Sequence, residues 1–401
     1  MIQKDDFAAL TGIRGVAAWW IVLFHFNEYL SPLMNIQAGR IIDRGYLAVD
    51  LFFELSGFII ALNYAEWFRA PRLSQAAKFL GIRLARIYPL HAFMLLLFLL
   101  NPLVIVLFSH RSEISHNYDI GYFILSVFLV QNWGLTSSLA WNVPAWSIST
   151  EWAAYLTFPL MTWICLRIIR TRAHAFVLMS LLVCVLASAF AIMDLSLGGG
   201  IPQTGLLRCL VEFWMGMCLY FFWRQKPVGP AYANVSVLLA AILLAAYVAF
   251  RIPDFVLVPS AFLLLIFGLT QKQCLLSRVM ASTPLKFLGA VSYSTYLVHY
   301  FVKDWVKFTH VRGNIPAEAP VLAYLAITAS ASLFLYYYVE VSGRSTVRQW
   351  IMSWASPGNS SRMREPEIDS ALAAQTSDAT TDLAAGEFFT LEPIQGSPAT
   401  D

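Results

Sequence analysis

Apolar residues run through this chain in long blocks separated by short polar stretches. Blocks of spanning length fall at 9–29, 45–65, 88–108, 143–166, 174–194, 204–223, 232–250, 254–270, 286–306 and 319–340. They match the roughly 20 residues a helix needs to cross a bilayer. An eleventh run, "YDIGYFILSVFLVQNW" at 118–133, is shorter and closes on polar and aromatic residues. The pattern predicts an all-α polytopic membrane protein with ten transmembrane helices. The eleventh run is expected to be a re-entrant or interfacial segment.

Composition agrees. Of 401 residues, 58% are hydrophobic and 13% charged, against about 25% charged in soluble domains, and the mean hydropathy is +0.63. The first block holds Arg14 and lacks a small-residue cleavage site after it, which predicts a retained helix and not a signal peptide. The five cysteines form no C-x-x-C pair. They read as small buried hydrophobes, with neither a disulfide framework nor a metal site expected.

The net charge of +3 is unevenly spread. Residues 356–401 contain eight acids and two arginines, leaving the rest of the chain at +9. The end of the chain is rich in Ser, Thr, Ala and Pro without an apolar stripe. It is expected to form a disordered acidic cytoplasmic tail, 351–401, after a membrane domain, 1–350. The stretch 69–86 carries five basic residues and no acid, so the positive-inside rule makes it cytoplasmic. Were 118–133 to cross the membrane, "RIIRTR" at 167–172 would lie outside; ten spans keep it inside and put both termini in the cytoplasm. Topology thus accounts for the basic residues, and no nucleic-acid partner is expected. The two halves show neither a repeat nor matched broken helices, which disfavours a secondary transporter.

Polar residues within the apolar blocks are the candidate chemistry, because an intramembrane charge costs roughly 2.5–3.5 kcal/mol even on mild scales. Arg14 and His25 are eleven residues apart, about 20° beyond three full turns, so they share a face about 16 Å apart. Asp50 in the second block should lie at the depth of His25, to orient and polarise its ring, or else snorkel to the interface. Ser56 and Gly57 at mid-block suggest close helix packing or a kink. Arg83 and Arg86 share a face before Pro89, which suits the first turn of a helix; they serve either a phosphate or membrane anchoring. Ser147, Glu151 and Tyr155 follow one another at i, i+4 and i+8. Arg208 and Glu212 form an i,i+4 pair of structural character. Ser292, Tyr296 and His299 share a face of the ninth block, and Glu340 ends the last block on the inner side.

These residues sit in an ordered series of motifs. It comprises "LTGIRGVAAWWIVLFH", "GYLAVDLFFELSGFII", "RLARIYPLH", "WSISTEWAAYLTFP", an Arg208–Phe213–Gly216–Met217 pattern, "LGAVSYSTYLVH" and "YYYVE". The series, along about residues 8–345, resembles the acyltransferase-3 family of integral-membrane O-acyltransferases. Arg14 and His25 match the family's arginine and histidine. Ser56, Gly57 and Phe58 match its serine–glycine–phenylalanine, Arg86 and Pro89 its Arg-Ile-x-Pro step, and Trp146, Ser147 and Glu151 its tryptophan–serine and glutamate. Glu54 stands where the family usually has an aliphatic residue, and "VSGR" after Glu340 replaces the usual proline–aromatic–basic ending. Some relatives carry a hydrolase-like domain; only the acidic tail follows here, so none is expected.

The resemblance implies acyl transfer from a cytoplasmic acyl-CoA to a hydroxyl, often on an extracytoplasmic glycan. The expected activity is O-acetyl transfer in the bacterial inner membrane to a carbohydrate or glycolipid. Acetyl-CoA or another acyl-CoA is the donor substrate, membrane lipid surrounds the protein, and no cofactor is tightly bound. Arg14, Arg83 and Arg86 are the expected donor-binding residues. His25 is the expected general base, helped by Asp50 or Glu151, with an acyl-histidine intermediate as a variant. Ser56, Trp146, Ser147, Tyr296 and His299 are the candidate substrate-binding residues. The alternative is a proton-coupled exporter of a glycan or lipid.

Overall fold

Helices account for every one of the apolar blocks. The computed structural model describes residues 7–108, 116–225, 229–310, 316 and 318–355. Among them, ten helices have sixteen residues or more: α1 (Ala8–His25), α2 (Ala48–Tyr64), α3 (Leu73–Phe98), α4 (Trp146–Ile168), α5 (Arg172–Met193), α6 (Ile201–Trp223), α7 (Pro230–Phe250), α8 (Asp254–Leu269), α9 (Ser292–His310) and α10 (Glu318–Leu335). No strand occurs among the described residues. Seven helical runs are long and apolar enough to cross a membrane: Ala8–His25, Ile36–Phe68, Leu73–Leu107, Arg172–Met193, Ile201–Trp223, Pro230–Phe250 and Glu318–Ile351. The protein is an integral membrane protein. The other three long helices, α4, α8 and α9, are shorter or more polar.

Backbone-to-backbone contacts at glycines set the frame. A Cβ on Gly57 of α2 would sit 1.9 Å from the Phe213 carbonyl oxygen of α6, and one on Gly216 of α6 would sit 1.8 Å from the Glu54 oxygen of α2. Ser56-Gly57 thus marks a close crossing of two helices. Likewise, a Cβ on Gly289, in the short helix Thr283–Ala290, would sit 1.9 Å from the Thr11 oxygen of α1. Small residues permit such approaches where lipid supplies no hydrophobic drive between helices.

Three boundaries differ from expectation. First, α3 begins at Leu73, not near 88, so Pro89 lies deep inside a 26-residue helix and not in a first turn. The basic turns 73–87 extend the helix out of its apolar part. Proline removes a backbone hydrogen bond there, and the Tyr293 hydroxyl of α9 donates to the nearby Ile87 carbonyl (2.7 Å). Second, the last helix does not end at Glu340. A π-helical turn, Tyr336–Val341, leads into Ser342–Ala355, which packs back on α3, Gly343 close against Pro89 and Gly81 against Ile351. This helix passes the boundary expected at 350. The rest of the expected tail, 356–401, lies outside the described residues. Third, the run at 118–133 holds only an eight-residue helix, Ile120–Val127, about 12 Å long. The chain then turns into the protein: Gln131 and Asn132 are fully buried, and Asn132 bonds the Ile201 carbonyl of α6 (3.2 Å).

Candidate functional site

Helix α1 carries Arg14 in its second turn and His25 as its last residue, and each enters a different polar cluster. Around Arg14 gather Arg86 of α3, Glu151 of α4 and Glu340 of the π turn, all within electrostatic reach. Glu151 Oε1 accepts hydrogen bonds from the Ser56 hydroxyl (2.5 Å) and the Tyr155 hydroxyl (2.6 Å). Glu340 Oε2 accepts from Ser294 of α9 (2.6 Å). The π turn therefore aims Glu340 inward, a use typical of such bulges at functional sites. Arg14, Ser56, Arg86, Glu151 and Glu340 are all half-buried.

Arg83 departs from expectation. It does not stand on an exposed loop; it is buried, donates to the Tyr64 hydroxyl (2.7 Å) and lies over the Tyr64 ring at 4.9 Å. It ties α3 to the end of α2, whereas Arg86, one turn on, faces the Arg14 cluster.

At the other end of α1, His25 meets His299 of α9. Their ring centroids are 5.1 Å apart, with the Tyr300 ring 5.4 Å from His25. His299 is fully buried, and both its ring nitrogens lack a partner among the described residues. Tyr296, one turn away, shares a hydrogen bond with Ser147 of α4 (2.7 Å), and both hydroxyls lie within hydrogen-bond reach of the Pro144 carbonyl. Lys303, one turn beyond His299, stands 3.3 Å from the Tyr300 ring centroid. Sequence reasoning missed Lys303, although its i+4 spacing from His299 on a polar face was visible.

Neither carboxylate expected at His25 is bonded to it. Asp50 is taken by Arg208 of α6: Nε reaches Oδ1 at 2.6 Å and Nη2 reaches Oδ2 at 2.5 Å. The glycine-mediated crossing of α2 and α6 places the two side by side. Arg208 also donates to the carbonyls of Leu197 (2.7 Å) and Tyr46 (3.3 Å). Its guanidinium lies 5.7 Å from the Trp146 ring centroid. Glu212, expected as its partner, is 4.0 Å from Nε. The carboxylates of Glu54 and Glu212 are fully buried and lack hydrogen-bond partners among the described residues. Glu151, for its part, belongs to the Arg14 cluster. The ring that faces His25 is thus another imidazole.

Two polar clusters thus sit at the two ends of one helix. The acyltransferase MdmB of Streptomyces mycarofaciens is 27% identical over 364 residues, covering 83% of this chain and 90% of that protein. The O-acetyltransferase OatA of Staphylococcus aureus is 24% identical over 360 residues, covering 82% of this chain and 56% of its own length. The chain thus spans little more than half of OatA. No solved structure matches it. The profile of the acyltransferase-3 family, described as an acyltransferase domain, matches residues 7–339. A match over most of the chain makes it an acyltransferase and a member of the acyltransferase-3 family.

Proposed function

We propose that this protein is an O-acetyltransferase that takes its acyl group from cytoplasmic acetyl-CoA and passes it to a hydroxyl of a carbohydrate or glycolipid on the far side of the membrane. Ten spans with both termini in the cytoplasm set the direction, and residues 1–350 carry the chemistry. The observation that carries the reading is α1, which holds Arg14 in one polar cluster and His25 in another, about 16 Å along the helix axis.

The donor enters at the Arg14 end, its phosphates drawn by Arg86 and its extended arm passing Arg14. Glu151, held by Ser56 and Tyr155, keeps Arg14 oriented, and Glu340 balances the two arginines. At the other end, a nitrogen of His25 accepts the proton of the acceptor hydroxyl as its oxygen attacks the thioester carbonyl. The C–S bond breaks, the ester forms, and the proton passes from the imidazolium to the departing thiolate. His299 flanks the ring on which that charge develops, while Tyr296 and Ser147 offer hydroxyls to the acceptor. General base catalysis of this kind contributes about 10²–10⁴-fold.

The test is acetyl-CoA-dependent release of free thiol by purified protein with a glycan acceptor, alongside mass spectrometry of the glycan. The expected result is stoichiometric acetylation, abolished by His25→Ala in protein that stays monodisperse. Glycan translocation driven by a pH gradient without thiol release would establish the exporter instead.

A further inference from the structure

A cleft of about 700 Å³ opens at the end of the bundle that carries His25. Its size falls within the roughly 300–1,000 Å³ of small-molecule sites. One wall is the short helix Ile36–Ile42 with the turn after it, which bring Arg40, Asp43 and Arg44. The others are the C-terminal ends of α5 and α7 and the start of α8, which bring Asp194, Arg251 and Asp254. None of these six belongs to the Arg14 or His25 clusters.

Two of the walls are fixed in advance. Arg44 Nε donates to the Tyr247 hydroxyl (3.1 Å), Nη1 donates to the Arg40 carbonyl (2.7 Å), and the guanidinium lies 5.2 Å from the Tyr247 ring centroid. The Asp254 carboxylate accepts from the backbone N–H groups of Leu197 (3.1 Å) and Phe255 (2.9 Å) and from the Tyr46 hydroxyl (2.8 Å). Tyr46 links the cleft to the reacting end: its ring is 5.9 Å from Phe24, the neighbour of His25.

The rim breaks local rules. Asp194 and Arg251 cap α5 and α7 in the left-handed region, at φ 52° and 53°, where glycine or asparagine is usual. Asp194 also places a negative charge at a helix C-terminus, where the macrodipole opposes it. Neither side chain makes a hydrogen bond or ion pair among the described residues, and both are exposed at the cleft. Strain without a packing return is a mark of function.

Charge selects the ligand. Three guanidinium groups and three carboxylates line one space, Asp254 already engaged by its three donors, so charges of both signs lie side by side and neither sign dominates the wall. A sugar hydroxyl both donates and accepts, and meets such a wall from either side. We propose that this cleft binds a neutral, hydroxyl-rich saccharide unit of the acceptor, holding it at the His25 end while another hydroxyl of the same molecule reacts. The proposal rests on the carbohydrate-acceptor reading above and adds that the gripped unit is neutral, where it binds and which residues hold it.

The experiment uses full-length protein in nanodiscs on a glycan array of neutral, carboxylated and phosphorylated oligosaccharides, with affinities for the bound members measured by interferometry. Neutral members should bind. Asp194→Asn and Arg251→Gly should each weaken binding at least tenfold, yet keep or raise thermal stability, since both new residues suit the left-handed cap. The acceptor KM should rise in the same variants with kcat unchanged. Wild-type affinity in these variants, binding restricted to charged glycans, or no glycan binding by the wild type would each overturn the proposal. Acetyl-CoA turnover with the bound glycans separates this from the reading beneath it. Cleft-dependent binding without transfer would leave the cleft and sink the acetyltransferase. His25-dependent transfer with an unchanged acceptor KM in both variants would do the reverse.

Discussion

Replacing Asp50 with asparagine separates a framework role from a catalytic one. Asp50 and Arg208 are buried to 0% and 1% exposure and share two hydrogen bonds of 2.5 and 2.6 Å. Breaking a buried ion pair from one side costs about 3–5 kcal/mol, because the remaining charge is stranded. The asparagine amide still offers one carbonyl oxygen to the guanidinium, and the Glu212 carboxyl lies 4.0 Å from Arg208 Nε. The expected destabilisation of Asp50→Asn is therefore at the lower end, about 3 kcal/mol. Arg208→Met, which leaves three carboxylates together, should cost more, and the double variant should recover part of the sum. Unfolding in mixed micelles by SDS titration, followed by tryptophan fluorescence, measures all four corners of the cycle. Acyl transfer per folded molecule is measured in parallel. Turnover of Asp50→Asn should stay within a few-fold of wild type, with an unmoved pH profile. A stable Asp50→Asn protein whose turnover falls by about 10²-fold or more would refute the assignment and return Asp50 to His25.

Gly216→Ala should lower the yield of monodisperse protein in size-exclusion chromatography, since its Cβ would fall 1.8 Å from the Glu54 oxygen, with an overpacking cost of about 1–3 kcal/mol. Arg83→Ala should lower thermal stability in detergent, because Arg83 holds Tyr64. Arg86→Ala should instead raise the KM for acetyl-CoA several-fold with the acceptor KM unchanged. For topology, Ser112→Cys and Ser137→Cys should both be labelled from outside by an impermeant thiol reagent; labelling of the first alone would establish an eleventh crossing.

The positions of the long helices were legible because each buries an apolar run against lipid or protein. Their ends were less so. Hydropathy marks where α3 is apolar and is silent about the basic turns 73–87 that continue the same helix. Pro89 reads as a helix start because the turns before it are basic and not apolar; the Tyr293 hydroxyl that bonds the nearby Ile87 carbonyl lies 206 residues along the chain from Ile87. Arg14 and His25 were legible because both lie on one helix, where spacing alone fixes their relation. The partners of His25 and Asp50 were not. The meeting of His25 with His299, and of Asp50 with Arg208, depends on which helices cross and at what rotation. Glycine contacts set that, and helical periodicity within one segment does not encode it. Glu340 was read as a terminus because a π turn has no signature in the apolar pattern.

The glycine crossings also bear on how cargo passes through this protein. Where the backbone of one helix rests directly on that of another, there is no layer of flexible side chains to absorb sliding. Gly57 against Phe213, Gly216 against Glu54 and Gly289 against Thr11 are contacts of this kind, and they lock α1 to the short helix Thr283–Ala290 and α2 to α6. A carrier that opens alternately to either side needs such elements to rock past each other. Here α2 and α6 are pinned to each other and α1 is held near its first turn by the end of the short helix, so the frame favours fixed helices. On the acetyl-CoA reading proposed above, a long, flexible donor would thread a stationary scaffold and deliver its tip while the helices stay where they are.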